Sequence, residues 1–145
     1  MRLVLDTNVM VAALRSDRGA SRRLLLEALD GGIEVIVSVP LMLEYEAVLT
    51  RPDQLSETGL TSKETNAVLD ALASVAVPIQ LRFLWRPQLK DPSDEMVLET
   101  AVNGRADRLV TFNLRHLRAP VRRFGILAVT PPEAWKEVQQ RNAKE

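Results

Sequence analysis

Short apolar runs rich in branched residues alternate with segments of helical period along the whole chain, and this alternation limits the fold more than any other feature. Leu3-Val4-Leu5 reads as a buried strand, and helices follow over Val9 to Leu14 and Ser21 to Leu29, the second stopped at Gly31-Gly32. Ile33-Glu34-Val35-Ile36-Val37 is the next strand. Ser38 caps the helix after it, which has Pro40 in its first turn and an apolar stripe of Leu41, Tyr45, Val48 and Leu49 up to Arg51-Pro52. Pro52 to Leu60 reads as a polar connection and Ser62 to Ala76 as a helix. Val77-Pro78-Ile79 is at most a short edge strand, because proline cannot donate to a ladder. A further helix opens at Asp91-Pro92 and closes near Asn103-Gly104, strands run over Arg108 to Thr111 and Gly125 to Val129, and a closing helix spans about 132–141. Strand then helix, repeated about five times, predicts a mostly parallel sheet of four to five strands between helical layers. The expected fold is a three-layer α/β/α sandwich, with residues 1–145 forming one domain.

Composition removes several kinds of chemistry. The 145 residues can bury a proper core without staples. The absence of cysteine excludes disulfides, thiolate metal sites and cysteine nucleophiles, and the single histidine leaves little for zinc. Nineteen basic and nineteen acidic side chains cancel, so a nucleic-acid partner would need a local patch of positive charge. No apolar stretch approaches the ~20 residues of a membrane span. Asp6 interrupts the first apolar run too early for a signal peptide, and the expected setting is the cytoplasm.

Asp6 follows the first strand directly, and ligands of open α/β sheets bind outside the carboxyl ends of the strands. Glu44 stands one and a half turns into the helix after the second strand, and Asp94 in the first turn of the helix from Asp91. If the strands are parallel, these three carboxylates can lie over one edge of the sheet. Like charges gathered there raise one another's pKa unless a cation compensates, so Asp6, Glu44 and Asp94 are the candidate ligands of Mg²⁺ or Mn²⁺. A hard metal held in this way activates water and stabilises charge on phosphate, the chemistry of metal-dependent nucleases. Each acid also has an ordinary explanation: Asp91 and Asp94 as a helix cap and its acidic partner, Glu44 as a solvated side chain, Asp6 as the cap of the helix from Thr7. Asn8 and Thr111 are candidates to orient Asp6 by hydrogen bonding. Asp107 is assigned to a turn, Phe112 to the core, and His116 is given no catalytic role.

Arginines crowd one region. Arg105, Arg108, Arg115, Arg118, Arg122 and Arg123 face one acid, Asp107, and no lysine between Gly104 and Arg123; Arg15, Arg18, Arg22 and Arg23 form a second group. Guanidinium suits phosphate through its planar fork, and Arg115 and Arg118 are the principal candidates for binding a phosphate polyanion, which the resemblance given next implies to be RNA.

Leu5-Asp6-Thr7-Asn8-Val9, Ser38 through Glu44 to Leu49, Asp91-Pro92-Ser93-Asp94 followed by Ala101, and Ala106-Asp107-Arg108-Leu109-Val110-Thr111 resemble, in order, the successive blocks of a PIN domain over residues 1 to about 130. More narrowly, the chain resembles the VapC-like PIN toxins of toxin–antitoxin pairs. The resemblance implies Mg²⁺- or Mn²⁺-dependent cleavage of RNA and inhibition by a small cognate antitoxin, and it leaves room for a homodimer. Asp6, Glu44 and Asp94 match the family's acidic residues. The family commonly carries a fourth acid in a Thr-x-Asp unit, and Thr111-Phe112-Asn113 puts an amide there. Asn113 can lend a metal its carbonyl oxygen but no charge, which weakens the case for a second metal and for full activity. Two rivals come from other classes. An aspartyl-nucleophile phosphatase needs a second acid where Asn8 stands, and a non-catalytic PIN module binding RNA or protein is favoured by Asn113.

Overall fold

In the computed structural model, which describes residues 1–82 and 91–144, five parallel strands form one sheet in the order β3-β2-β1-β4-β5. The strands are β1 (Arg2–Leu5), β2 (Glu34–Val37), β3 (Val77–Pro78), β4 (Arg108–Val110) and β5 (Leu127–Val129). Leu3 of the central strand lies opposite Val35 on one side and Arg108 on the other, and Val110 opposite Val129. Leu3, Val4 and Leu5 are all fully buried. Because successive strand residues point to opposite faces, both faces of β1 are covered, which is why this strand reads as a continuous apolar run rather than an alternating one. Each such side chain contributes about 1.5–3 kcal/mol of burial.

The covering layers among the described residues are α1 (Thr7–Arg15), α2 (Ala20–Leu29), α3 (Val39–Leu49), α4 (Pro52–Thr58), α5 (Ser62–Val75), α6 (Pro92–Asn103), α7 (Leu114–Arg122) and α8 (Pro131–Lys144). The result is a three-layer α/β/α sandwich. Helix starts follow capping chemistry. Ser38 accepts from the Leu41 N–H, Asp91 from the Ser93 N–H, and Thr61 forms a capping box with Glu64. Among the described residues no helix is long and apolar enough to cross a membrane.

Two stretches are helices that the sequence pattern does not mark as such. Pro52 to Leu60 is not a connection: Pro52–Thr58 is helical, with Pro52 at its first position and Gly59 ending it at φ 74°. None of its residues is buried, so no apolar stripe announces it. Leu114–Arg122 is a helix as well, anchored by buried Leu117 and Val121, although Pro120 lies inside it.

Candidate functional site

Parallel strands bring their carboxyl ends to one edge, and this edge collects the acids. Asp6 follows β1, its N–H donates to the Val110 carbonyl at 2.9 Å, and it caps α1. Its carboxylate is buried and fully oriented: the Thr7 N–H donates to Oδ1 at 2.8 Å, and the Thr111 hydroxyl donates to Oδ2 at 2.7 Å. Asn8 acts one step away, its Oδ1 accepting from the Phe112 N–H at 3.4 Å.

Glu44 enters from α3. The neighbouring Tyr45 is fully buried and its hydroxyl donates to the Leu5 carbonyl, which ties α3 to the residue before Asp6. Burial, reinforced by the Asp6 charge, pushes the Tyr45 hydroxyl far above its ordinary range, so it remains a donor. Glu44 itself is half-buried, and its Oε1 accepts from the Ser93 hydroxyl at 3.2 Å.

Asp94 arrives on α6, whose C-terminal end is fixed at the opposite edge by Arg2, which donates to the Gly104 carbonyl at 3.1 Å. The helix start therefore lies at the carboxyl edge. Asp94 is buried, the Asn113 side chain helps hold its carboxyl down, and its Oδ2 is 3.7 Å from His116 Nδ1. Asn113 Nδ2 in turn is 3.0 Å from His116 Nδ1. Sequence reasoning gave His116 no part in this cluster. Only the contact of α6 with α7 brings it there.

The acids sense one another. Asp6 is pushed up to about 6, first by burial, then by the charges of Asp94 and Asp91, against the lowering effect of its Thr111 and Thr7 hydrogen bonds. Asp94 is also raised, by burial first and then Asp91, with His116 and Asn113 opposing. Asp91 is both the cap of α6 and a contributor to this negative field. Among the described residues neither Asp6 nor Asp94 is ion-paired to a lysine or arginine. Buried carboxylates with no lysine or arginine beside them, Asp94 facing only the His116 imidazole, suit a hard divalent cation bound through oxygen. Glu44 reaches the cluster through Ser93, and among the described residues no three carboxylate or imidazole side chains are gathered tightly enough to enclose an ion as they stand.

The arginines divide. Arg108 pairs with Glu137 at 3.0 Å, and Arg105 lies with it near the start of β4, away from the acids. Arg15 pairs with Glu57, while Arg22 donates to the Ala13 carbonyl and lies 3.7 Å from Asp17. Arg115, Arg118 and Arg122 recur at helical spacing on α7 and line a groove of about 550 Å³ with Leu114 and Arg123. That helix begins directly after Asn113. Phe112, assigned to the core from sequence, is exposed, because the inward position of this loop is taken by Thr111.

The sequence profile of the PIN domain matches residues 2–115, and the chain belongs to that family. A search of curated proteins gave no match. PIN domains are generally nucleases and generally use divalent metal ions.

Proposed function

We propose that the protein is a divalent-metal-dependent endoribonuclease that hydrolyses RNA phosphodiester bonds, and that it serves as the toxin of a toxin–antitoxin pair with a small cognate antitoxin as its partner. The observation that carries the reading is the pair Asp6 and Asp94, two buried carboxylates at the carboxyl edge of the sheet, both raised by burial and by the charge of Asp91. Asp6, Glu44 and Asp94 would hold Mg²⁺ or Mn²⁺, and the Asn113 amide, turned over, offers its carbonyl oxygen to the same ion. When bound, such a cation supplies an activated water and neutralises charge on a phosphate. The chain's own residues do the rest. Thr7 and Thr111 fix Asp6, Ser93 restrains Glu44, and Arg115 and Arg118 attract the phosphates that follow the scissile one.

A second reading, a PIN module that binds RNA or protein without cutting, draws support from Asn113 and His116, which place an amide and an imidazole beside Asp94 in place of a further acid. Incubation of structured and unstructured RNA with the protein in Mn²⁺, Mg²⁺ or chelator separates the two. Endonucleolytic products that need the metal and disappear in Asp6→Asn support the nuclease. RNA retained intact under all three conditions supports the binding module.

A further inference from the structure

Phe112 is 52 % exposed and is the one exposed phenylalanine, tyrosine or tryptophan among the described residues, since Tyr45 is buried and Phe124 and Trp135 are partly so. A single apolar side chain on a surface is ordinary; its place here is not. Thr111, one residue before it, holds Asp6, and Asn113, one residue after it, meets His116, which faces Asp94. The ring therefore stands beside the acidic cluster, and the arginine-lined groove of α7 starts two residues further on.

The backbone beneath the ring is fixed at three successive residues. The Thr111 N–H donates to the Val129 carbonyl at 2.9 Å, the Phe112 N–H to Asn8 Oδ1 at 3.4 Å, and the Asn113 N–H to the Thr111 hydroxyl at 2.8 Å. A ring presented from a pinned backbone loses little freedom when a ligand covers it. Aromatic faces beside a cationic groove are the means by which proteins hold unpaired nucleotides, because every base has a face to stack and a duplex hides it.

We infer that Phe112 is the platform on which an unpaired base next to the scissile phosphate stacks, so that this one side chain sets a requirement for unpaired RNA at the position of cleavage. The inference rests on the nuclease reading for its geometry, and its test is made on binding so that the two can fail separately. A short labelled oligoadenylate and a blunt RNA duplex are titrated with protein at low salt in Ca²⁺, and the strands are checked for integrity on a gel. Phe112→Ala should lower affinity for the single strand about ten- to a hundredfold and leave the duplex unaffected. Phe112→Trp should keep the affinity, and Phe112→Leu should lose it as alanine does, because leucine is apolar but has no stacking face. Unchanged binding by Phe112→Ala, full binding by Phe112→Leu, an equal loss on the duplex, or no single-strand binding by the unaltered protein would each overturn the inference. A change of oligomeric mass in Phe112→Ala with RNA affinity intact would assign the ring to a protein interface and overturn it as well. Metal-dependent cleavage that persists while Phe112→Ala binds normally leaves the nuclease reading standing without the platform; loss of single-strand affinity in a protein that never cleaves leaves the platform standing without the nuclease.

Discussion

The Thr111 hydroxyl donates to Asp6 Oδ2 at 2.7 Å, joining the loop after β4 to the end of β1 across 105 positions of sequence. This bond works against burial, which otherwise drives the Asp6 carboxyl upward. Thr111→Val keeps the shape of the side chain and removes the donor. The variant should lose about 1–2 kcal/mol of stability in urea at neutral pH and bind Mn²⁺ several-fold more weakly, because a carboxylate less easily ionised is a poorer ligand. Unaltered stability and Mn²⁺ affinity would show that the hydroxyl does not support the charge.

Asp6 also makes the metal-free fold sensitive to pH. Its carboxyl is pushed up to about 6 in the folded protein from an ordinary value of 3.8, so the folded state holds the proton more tightly than the unfolded chain. The stabilising contribution of that proton is complete below the ordinary value and is lost as pH rises through the folded one. At neutral pH the buried charge therefore costs on the order of 3 kcal/mol. Asp6→Asn removes the charge, but Thr7 and Thr111 donate to different oxygens and one of these becomes an amide nitrogen, so the gain in metal-free stability at neutral pH should be about 1–2 kcal/mol. Added Mn²⁺ should stabilise the unaltered protein and not the variant. Thermal melts at neutral pH and below the carboxylate range test both points, and the advantage of the variant should vanish at the lower pH.

Tyr45 carries the other tether. Its buried hydroxyl donates to the Leu5 carbonyl, and Tyr45→Phe leaves that carbonyl without this donor while changing little in volume. The expected loss is about 1–3 kcal/mol, constant through neutral pH because the hydroxyl does not titrate there. Chemical denaturation at several pH values would reveal any other dependence.

The sheet and the acids were legible for different reasons. Leu3-Val4-Leu5 and the Val35 to Val37 run stand out because burial on both faces removes polar residues from a strand. Asp6, Ser38 and Asp91 could be placed because caps are local chemistry. Helix α4 escaped because proline and glycine at its ends define it while its sides stay in water, and α7 because its arginines leave few positions to mark a buried face. The link between Glu44 and Ser93, the approach of His116 to Asp94 and the pairing of Arg108 with Glu137 depend on helices meeting across the fold, and no spacing along the chain encodes them. The exposure of Phe112 belongs to the same group, since it follows from Thr111 turning inward to Asp6.

Asn113 is where the charge of the site is decided. Its amide donor, beside His116, offsets part of the rise that burial and Asp91 impose on the Asp94 carboxyl. Asn113→Asp replaces that donor with a like charge beside two buried acids. Without metal the variant should be less stable than the unaltered protein by about 1–2 kcal/mol at neutral pH, and protonation of the crowded carboxyls should restore stability as pH falls. With metal the balance reverses, because the added charge attracts a hard cation and a second ion no longer faces only the three formal charges of Asp6, Glu44 and Asp94. Titration calorimetry with Mn²⁺ should show tighter binding, about tenfold or more, and cleavage at limiting metal should quicken if the natural amide weakens the enzyme. Identical affinity and stoichiometry in the two proteins would show that position 113 serves to hold Asp94 and His116 in place and does not address the metal.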